Sequence, residues 1–157
     1  MNEQQIKDLI KNWYNNKARN EQDQFFKFMS LWICFNAWLD HEAKKSNDRQ
    51  MINWLKEQTA DSSELMRSYI EMTQTTIGAN ALAALVSMSP VRDSRGRYDD
   101  INIQGVADHD KIIEAIYRIR CNLFHGGKSS TDTRDEKLLT FVNQIMSKWM
   151  ADLVSRW

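Results

Sequence analysis

Residues 25–39 read FFKFMSLWICFNAWL, and the class given to this run decides what kind of molecule the chain forms. Its 15 residues, with Lys27, Ser30 and Asn36 inside, fall short of the ~20 apolar residues that a helix needs to span a bilayer. The run reads instead as the middle of a helix from about Glu21 to Ala43. It is apolar almost all round, as a helix is when neighbours cover it on several sides. This segment is expected to be the backbone of the core, and the rest of the chain is read outward from it.

The chain has 157 residues, a length that suits one domain and one core. Hydrophobic residues make up 42%, including six Trp, six Phe and eight Met, which excludes a disordered chain. With 21 basic and 21 acidic side chains, no overall field draws the protein to nucleic acid or to anionic lipid, so any contact with a polyanion must be a local patch. The only cysteines, Cys34 and Cys121, suit a reducing compartment better than a disulfide scaffold. MNEQQIKDLI at the start lacks the basic opening and apolar run of a secretory signal. A cytoplasmic protein with no membrane contact is expected.

One proline, Pro90, five glycines and no valine-rich alternation predict an all-α fold. A first helix is expected from Glu3 to Ala18, capped by Asn2, with Ile6, Leu9, Ile10, Trp13 and Tyr14 on one face. A short helix follows around Arg49 to Glu57. Asp61-Ser62-Ser63-Glu64 has capping-box spacing and opens a helix carrying Leu65, Met66, Tyr69, Ile70 and Met72. Residues 76–88, TIGANALAALVSM, read as a helix whose glycine and small residues favour close packing. Residues 91–105, VRDSRGRYDDINIQG, hold few apolar side chains and read as a mobile loop. Asp108 can cap the next helix, which runs to His125, where Gly126 can end it. Thr133-Arg134-Asp135-Glu136 is a second capping box, opening a last helix with Leu138, Leu139, Phe141, Val142, Ile145, Met146, Trp149 and Leu153. The architecture expected is a helical bundle of four main helices plus shorter ones, in a single domain.

Function is sought in residues 118–128, RIRCNLFHGGK. On a wheel of 100° per residue, Ile112, Ile113, Ile116, Ile119, Leu123 and Phe124 fill one arc, and Arg120 falls inside it. Arg118, Cys121 and His125 take the other side, with Asn122 at its edge. A guanidinium cannot be deprotonated, and burying it unpaired costs several kcal/mol, so Arg120 needs either a carboxylate of the bundle or an anionic ligand. His125 sits in the last turn beside unpaired helix carbonyls and is a residue type able to move a proton near neutral pH. Gly126 and Gly127 leave room for a ligand beside it. Residues five apart point about 140° away from each other on an ideal helix. Arg120 and His125 therefore meet only if the last turn unwinds, or if a second copy of the chain brings its own motif across a two-fold interface.

The string IRCNLFHGGK at 119–128, RDEKLL at 134–139 and WICFNAWL at 32–39 resemble the HEPN superfamily of helical domains, in its Apea-like branch. The resemblance spans about half the chain. It implies a HEPN-like bundle that dimerises through the motif helices and cleaves RNA without metal or cofactor, or that binds RNA without cutting. In such a mechanism the ribose 2′-hydroxyl attacks the adjoining phosphate. His125 then acts as general acid or base, Arg120 neutralises the phosphoryl oxygens, and Asn122 orients one or the other. Arg118 and Lys128 are the candidate RNA-backbone contacts. A setting in phage defence, stress response or a toxin and antitoxin pair follows from the family alone, with an antitoxin protein as a further partner. The alternative is a non-catalytic dimerisation or binding module in which Arg120 and His125 are structural.

Other readings carry less. GGKSS at 126–130 is no phosphate loop, since position 122 holds asparagine and no strand precedes it. Cys121 and His125 are spaced to touch, but a thiol nucleophile or zinc site lacks the remaining parts. Asn36 reads as a core asparagine bonded to backbone, and the tryptophans as core. Arg92, Arg95 and Arg97 are nearly cancelled by Asp93, Asp99 and Asp100, so they read as a solvated loop.

Overall fold

A computed structural model describes residues 1–125 and 133–157. Among them the chain forms seven α-helices: α1 (Glu3–Asn16), α2 (Gln24–Ala43), α3 (Asp48–Lys56), α4 (Glu64–Thr73), α5 (Thr76–Ser87), α6 (His109–Phe124) and α7 (Thr133–Ser155). The described residues contain no strand, only an isolated bridge between Val91 and Ile101. The all-α expectation is met. None of these helices is long and apolar enough to cross a membrane.

Local chemistry sets the helix starts. Asn2 accepts from the Gln5 N–H while the Gln5 side chain accepts from the Asn2 N–H, a complete capping box. Asp23 caps α2, so that helix begins at Gln24 and not at Glu21. A 3-10 turn at Ala18–Asn20 fills the gap after α1. α4 is capped by Ser63 and not by Asp61. The register moves because Glu42 of α2 accepts from the Ser63 hydroxyl at 2.8 Å and from the Glu64 and Leu65 N–H groups at 2.7 and 3.2 Å. One carboxylate thereby fastens the positive end of α4 to α2. Thr75 caps α5, where a Cβ on Gly78 would lie 2.0 Å from the Met72 carbonyl oxygen. The close packing read from that glycine is present. Asp108 stands at the start of α6 but makes no capping bond; its carboxylate accepts from the Gln104 N–H instead.

α7 packs against α2, α4 and α5 and also touches α1, while α2 packs on α1 and α3 and α3 packs on α6. Trp149 of α7 is the centre of this arrangement and is fully buried. Its ring meets Phe35 and Tyr69 edge to face at 5.1 and 4.9 Å, and its Nε1 donates to the Leu65 carbonyl at 2.8 Å. Three helices thus share one side chain. Asn36, expected to bond to backbone, has a buried Oδ1 with no partner.

α3 is held to α6 by Glu114, whose Oε1 accepts from Arg49 at 2.7 Å and from Lys56 at 2.9 Å. Burial alone would raise this carboxyl, but the hydrogen bonds from Arg49 and Lys56 outweigh it and hold it below the usual glutamate value. A carboxylate with a depressed folded value contributes stability above its unfolded pKa, and that contribution is lost as pH falls through the folded one. Glu114→Gln is therefore expected to cost roughly 1–2 kcal/mol at pH 7, a gap that narrows as pH falls below the ordinary glutamate value of about 4.3. Urea unfolding of both proteins at pH 7 and pH 3 checks this, and a gap of equal size at both values would contradict it.

Residues 91–105 depart from expectation, because they pack. Val91, Ile101 and Ile103 are buried, and Val91 and Ile101 exchange two backbone hydrogen bonds of 2.9 Å. Asp93 accepts from the N–H groups of Arg97 and Tyr98, and Gly96 takes the left-handed conformation that closes the turn. Three apolar anchors suffice because the loop's polar groups are satisfied in part by its own Asp93 and in part by Arg118 and Asn122 of α6.

Candidate functional site

On α6 the wheel places Ile112, Ile113, Ile116, Ile119 and Leu123 correctly in the core. Phe124 does not follow; it is 42% exposed, and its ring lies 4.9 Å from the Arg120 guanidinium. The side assigned to solvent is also different, since the 91–105 loop covers it. Arg118 is buried; its Nη1 donates to the Asp99 carbonyl at 3.0 Å, and its guanidinium stacks 5.6 Å from the Tyr98 ring. Asn122 is 2% exposed, and the loop uses all of its amide. Its Oδ1 accepts from the Ser94 N–H and hydroxyl, both at 3.0 Å, and its Nδ2 donates to the Arg92 carbonyl at 2.9 Å. Asn122 therefore docks the loop and bonds to neither Arg120 nor His125. Arg118 is not a free outward cation. A wheel reports which faces are apolar; it does not see a polar loop whose groups a polar face satisfies.

Asn122→Ala would leave the Arg92 carbonyl and the Ser94 N–H without these partners. A loss of about 2 kcal/mol is expected, together with faster tryptic cleavage after Arg92, Arg95 or Arg97. Limited proteolysis alongside urea unfolding measures both, and an unchanged cleavage rate would contradict the docking role.

Arg120 is half-buried between α3 and α2. Its Nη2 meets the Asp48 carboxylate at 3.0 Å, its guanidinium lies 5.6 Å from the Trp32 ring, and its Nε is buried with no partner. Of the two counter-charges open to it from the sequence, the carboxylate of the bundle is the one present in the single chain. A partly exposed pair of this kind is worth at most about 1 kcal/mol. His125 is exposed at the end of α6, and its N–H still donates to the Cys121 carbonyl at 3.1 Å. The last turn is thus wound through His125, which removes the unwinding route by which Arg120 and His125 would meet in one chain. Gly126, Gly127 and Lys128 lie outside the described residues.

His125 lines a cavity of about 660 Å3 between α6 and the loop, which Arg120 does not reach. Arg118, Cys121 and Tyr117 share it. Burial pushes the Tyr117 hydroxyl up to about 12, with the neighbouring Cys121 adding to the effect. Arg49, also on the wall, is spent on Glu114, whereas Lys111 and Arg95 make no ion pair with a described residue. In the sequence Lys111 looks like any solvated lysine early in a helix; only the fold of the loop puts it on the same cavity as Arg95. The described residues contain no group of three or more metal-ligating side chains. Both cysteines are free, and burial pushes the Cys34 thiol up to about 12, leaving it inert.

No family model, curated protein or solved structure matches this chain.

Proposed function

We propose that the protein is a HEPN-type RNA-binding protein and metal-independent endoribonuclease, acting as a homodimer in which Arg120 of one copy serves the cavity lined by His125 of the other. The observation that carries this reading is the position of His125. It is an exposed imidazole lining a cavity whose wall also carries Arg95 and Lys111, cations suited to a phosphate backbone, beside the carboxylates of Asp93, Asp99, Asp100 and Glu114. The exposed Phe124 on α6, and Phe26 and Ile33 exposed on α2, leave apolar side chains that a second copy of the chain can cover. His125 moves the proton of the 2′-hydroxyl or of the leaving oxygen, and Arg120 offsets charge on the phosphoryl group. DNA is spared because it has no 2′-hydroxyl. Two free thiols fit a cytoplasmic setting. A defence or toxin role held in check by an antitoxin protein belongs to the same proposal.

The test is incubation of the purified protein with a mixed single-stranded RNA, and with DNA of the same sequence, in a metal chelator. Cutting of RNA alone, leaving 2′,3′-cyclic phosphate ends, supports the enzyme. A second reading, a non-catalytic helical module, is favoured by the Arg120–Asp48 pair, which gives the arginine a structural partner. That reading expects no cutting in any condition.

A further inference from the structure

Asn143 and Ser147, one turn apart, line a cavity of about 480 Å3 among α1, the start of α2 and α7. Asn143 is 2% exposed, and its Nδ2 donates to both the carbonyl and the Oε1 of Gln24 at 2.8 Å. Its Oδ1 has no partner, and neither does the Ser147 hydroxyl. Both residues line the cavity, and each keeps a buried polar atom without a partner, which is costly unless a hydrogen-bonding group is supplied nearby.

The rest of the lining narrows what that something is. Lys27 and Lys148 are both among the lining residues. Lys148 makes no ion pair with a described residue, and Lys27 reaches only the Arg19 and Glu21 carbonyls, at the long distances of 3.4 and 3.5 Å. Two loosely held amines suit a doubly charged anion. The one aromatic ring, Tyr14, is 9% exposed and offers no open face for stacking a base. Amide, hydroxyl and carboxylate groups, including Gln24 and Glu21, instead match a ligand rich in hydroxyls.

We propose that this cavity binds a small hydroxylated phosphate ester of the sugar phosphate class. Lys27 and Lys148 hold the phosphate, and Asn143, Ser147 and Glu21 receive the hydroxyl groups. The cavity volume lies within the range of small-molecule sites. This site is independent of the RNA reading and stands or falls separately.

Calorimetric titration with glucose 6-phosphate as the probe tests it, with glucose, inorganic phosphate and adenosine monophosphate as parallel arms. Glucose 6-phosphate is expected to bind at least about tenfold more tightly than any of the three, because only it uses both walls. Lys27→Ala with Lys148→Ala, two surface changes that leave the core intact, is expected to weaken it by about tenfold or more, and Asn143→Leu likewise. If Asn143→Leu does not fold, the lysine variant decides. No heat of binding at millimolar probe, unchanged binding in the lysine variant, or tighter binding of adenosine monophosphate would each overturn the proposal.

Discussion

Trp149→Ala is expected to lose about 4 kcal/mol of stability, a large part of the 5–15 kcal/mol that holds a domain of this size together. The ring is fully buried and touches three helices, meeting Phe35 of α2 and Tyr69 of α4 from its own place on α7. Its removal leaves a cavity in the buried core and deprives the Leu65 carbonyl of the indole N–H. Trp149→Phe keeps most of the volume and loses the hydrogen bond, so a smaller loss of about 1–2 kcal/mol is expected. Urea unfolding followed by circular dichroism ranks the three proteins. Equal losses for the two variants would mean that volume is not what Trp149 contributes.

The helices were legible because their signals are local. Apolar spacing and a capping residue lie within one or two turns of each other, as at Asn2 or in the run from Leu138 to Leu153. Where a signal came from elsewhere in the chain, the reading slipped. Ser63 replaces Asp61 as the cap of α4 because Glu42, on another helix, reaches across to it. Residues 91–105 looked too polar to pack, and by composition they are; they pack because Arg118 and Asn122 bond to their backbone. The same event moved both residues from the outer face to a buried one. Arg120 was correctly singled out as a cation in need of a counter-charge, but its partner Asp48 is distant in sequence and could not be named in advance. His125 is legible from its place at the helix end, whereas Lys111 is not, because only the folded loop puts it on the same cavity as Arg95. Gly126, Gly127 and Lys128 lie outside the described residues, and so does the cap of α7.

His125→Ala is expected to lower RNA cleavage by about 10²–10⁴-fold, the range for loss of a group that moves a proton in the transition state. Arg120→Ala is expected to lower it by roughly 10²–10³-fold, since charge stabilisation at the phosphoryl oxygens is lost. Neither change threatens the fold. His125 is exposed, and the half-exposed pair of Arg120 with Asp48 contributes at most about 1 kcal/mol. Losses in activity with unchanged unfolding curves would separate chemistry from structure, whereas a destabilised Arg120→Ala protein without any wild-type cleavage would favour the structural module.

The central claim is that one site takes its arginine and its histidine from different copies of the chain. Mixing inactive Arg120→Ala protein with inactive His125→Ala protein, under conditions where subunits exchange, tests it most directly. In a mixed dimer one shared site has lost both groups and the other retains both, so cleavage is expected to return to about a quarter of the wild-type rate when about half of the dimers are mixed. A mixture as inactive as its two components, although sizing shows that the subunits have exchanged, would contradict the claim.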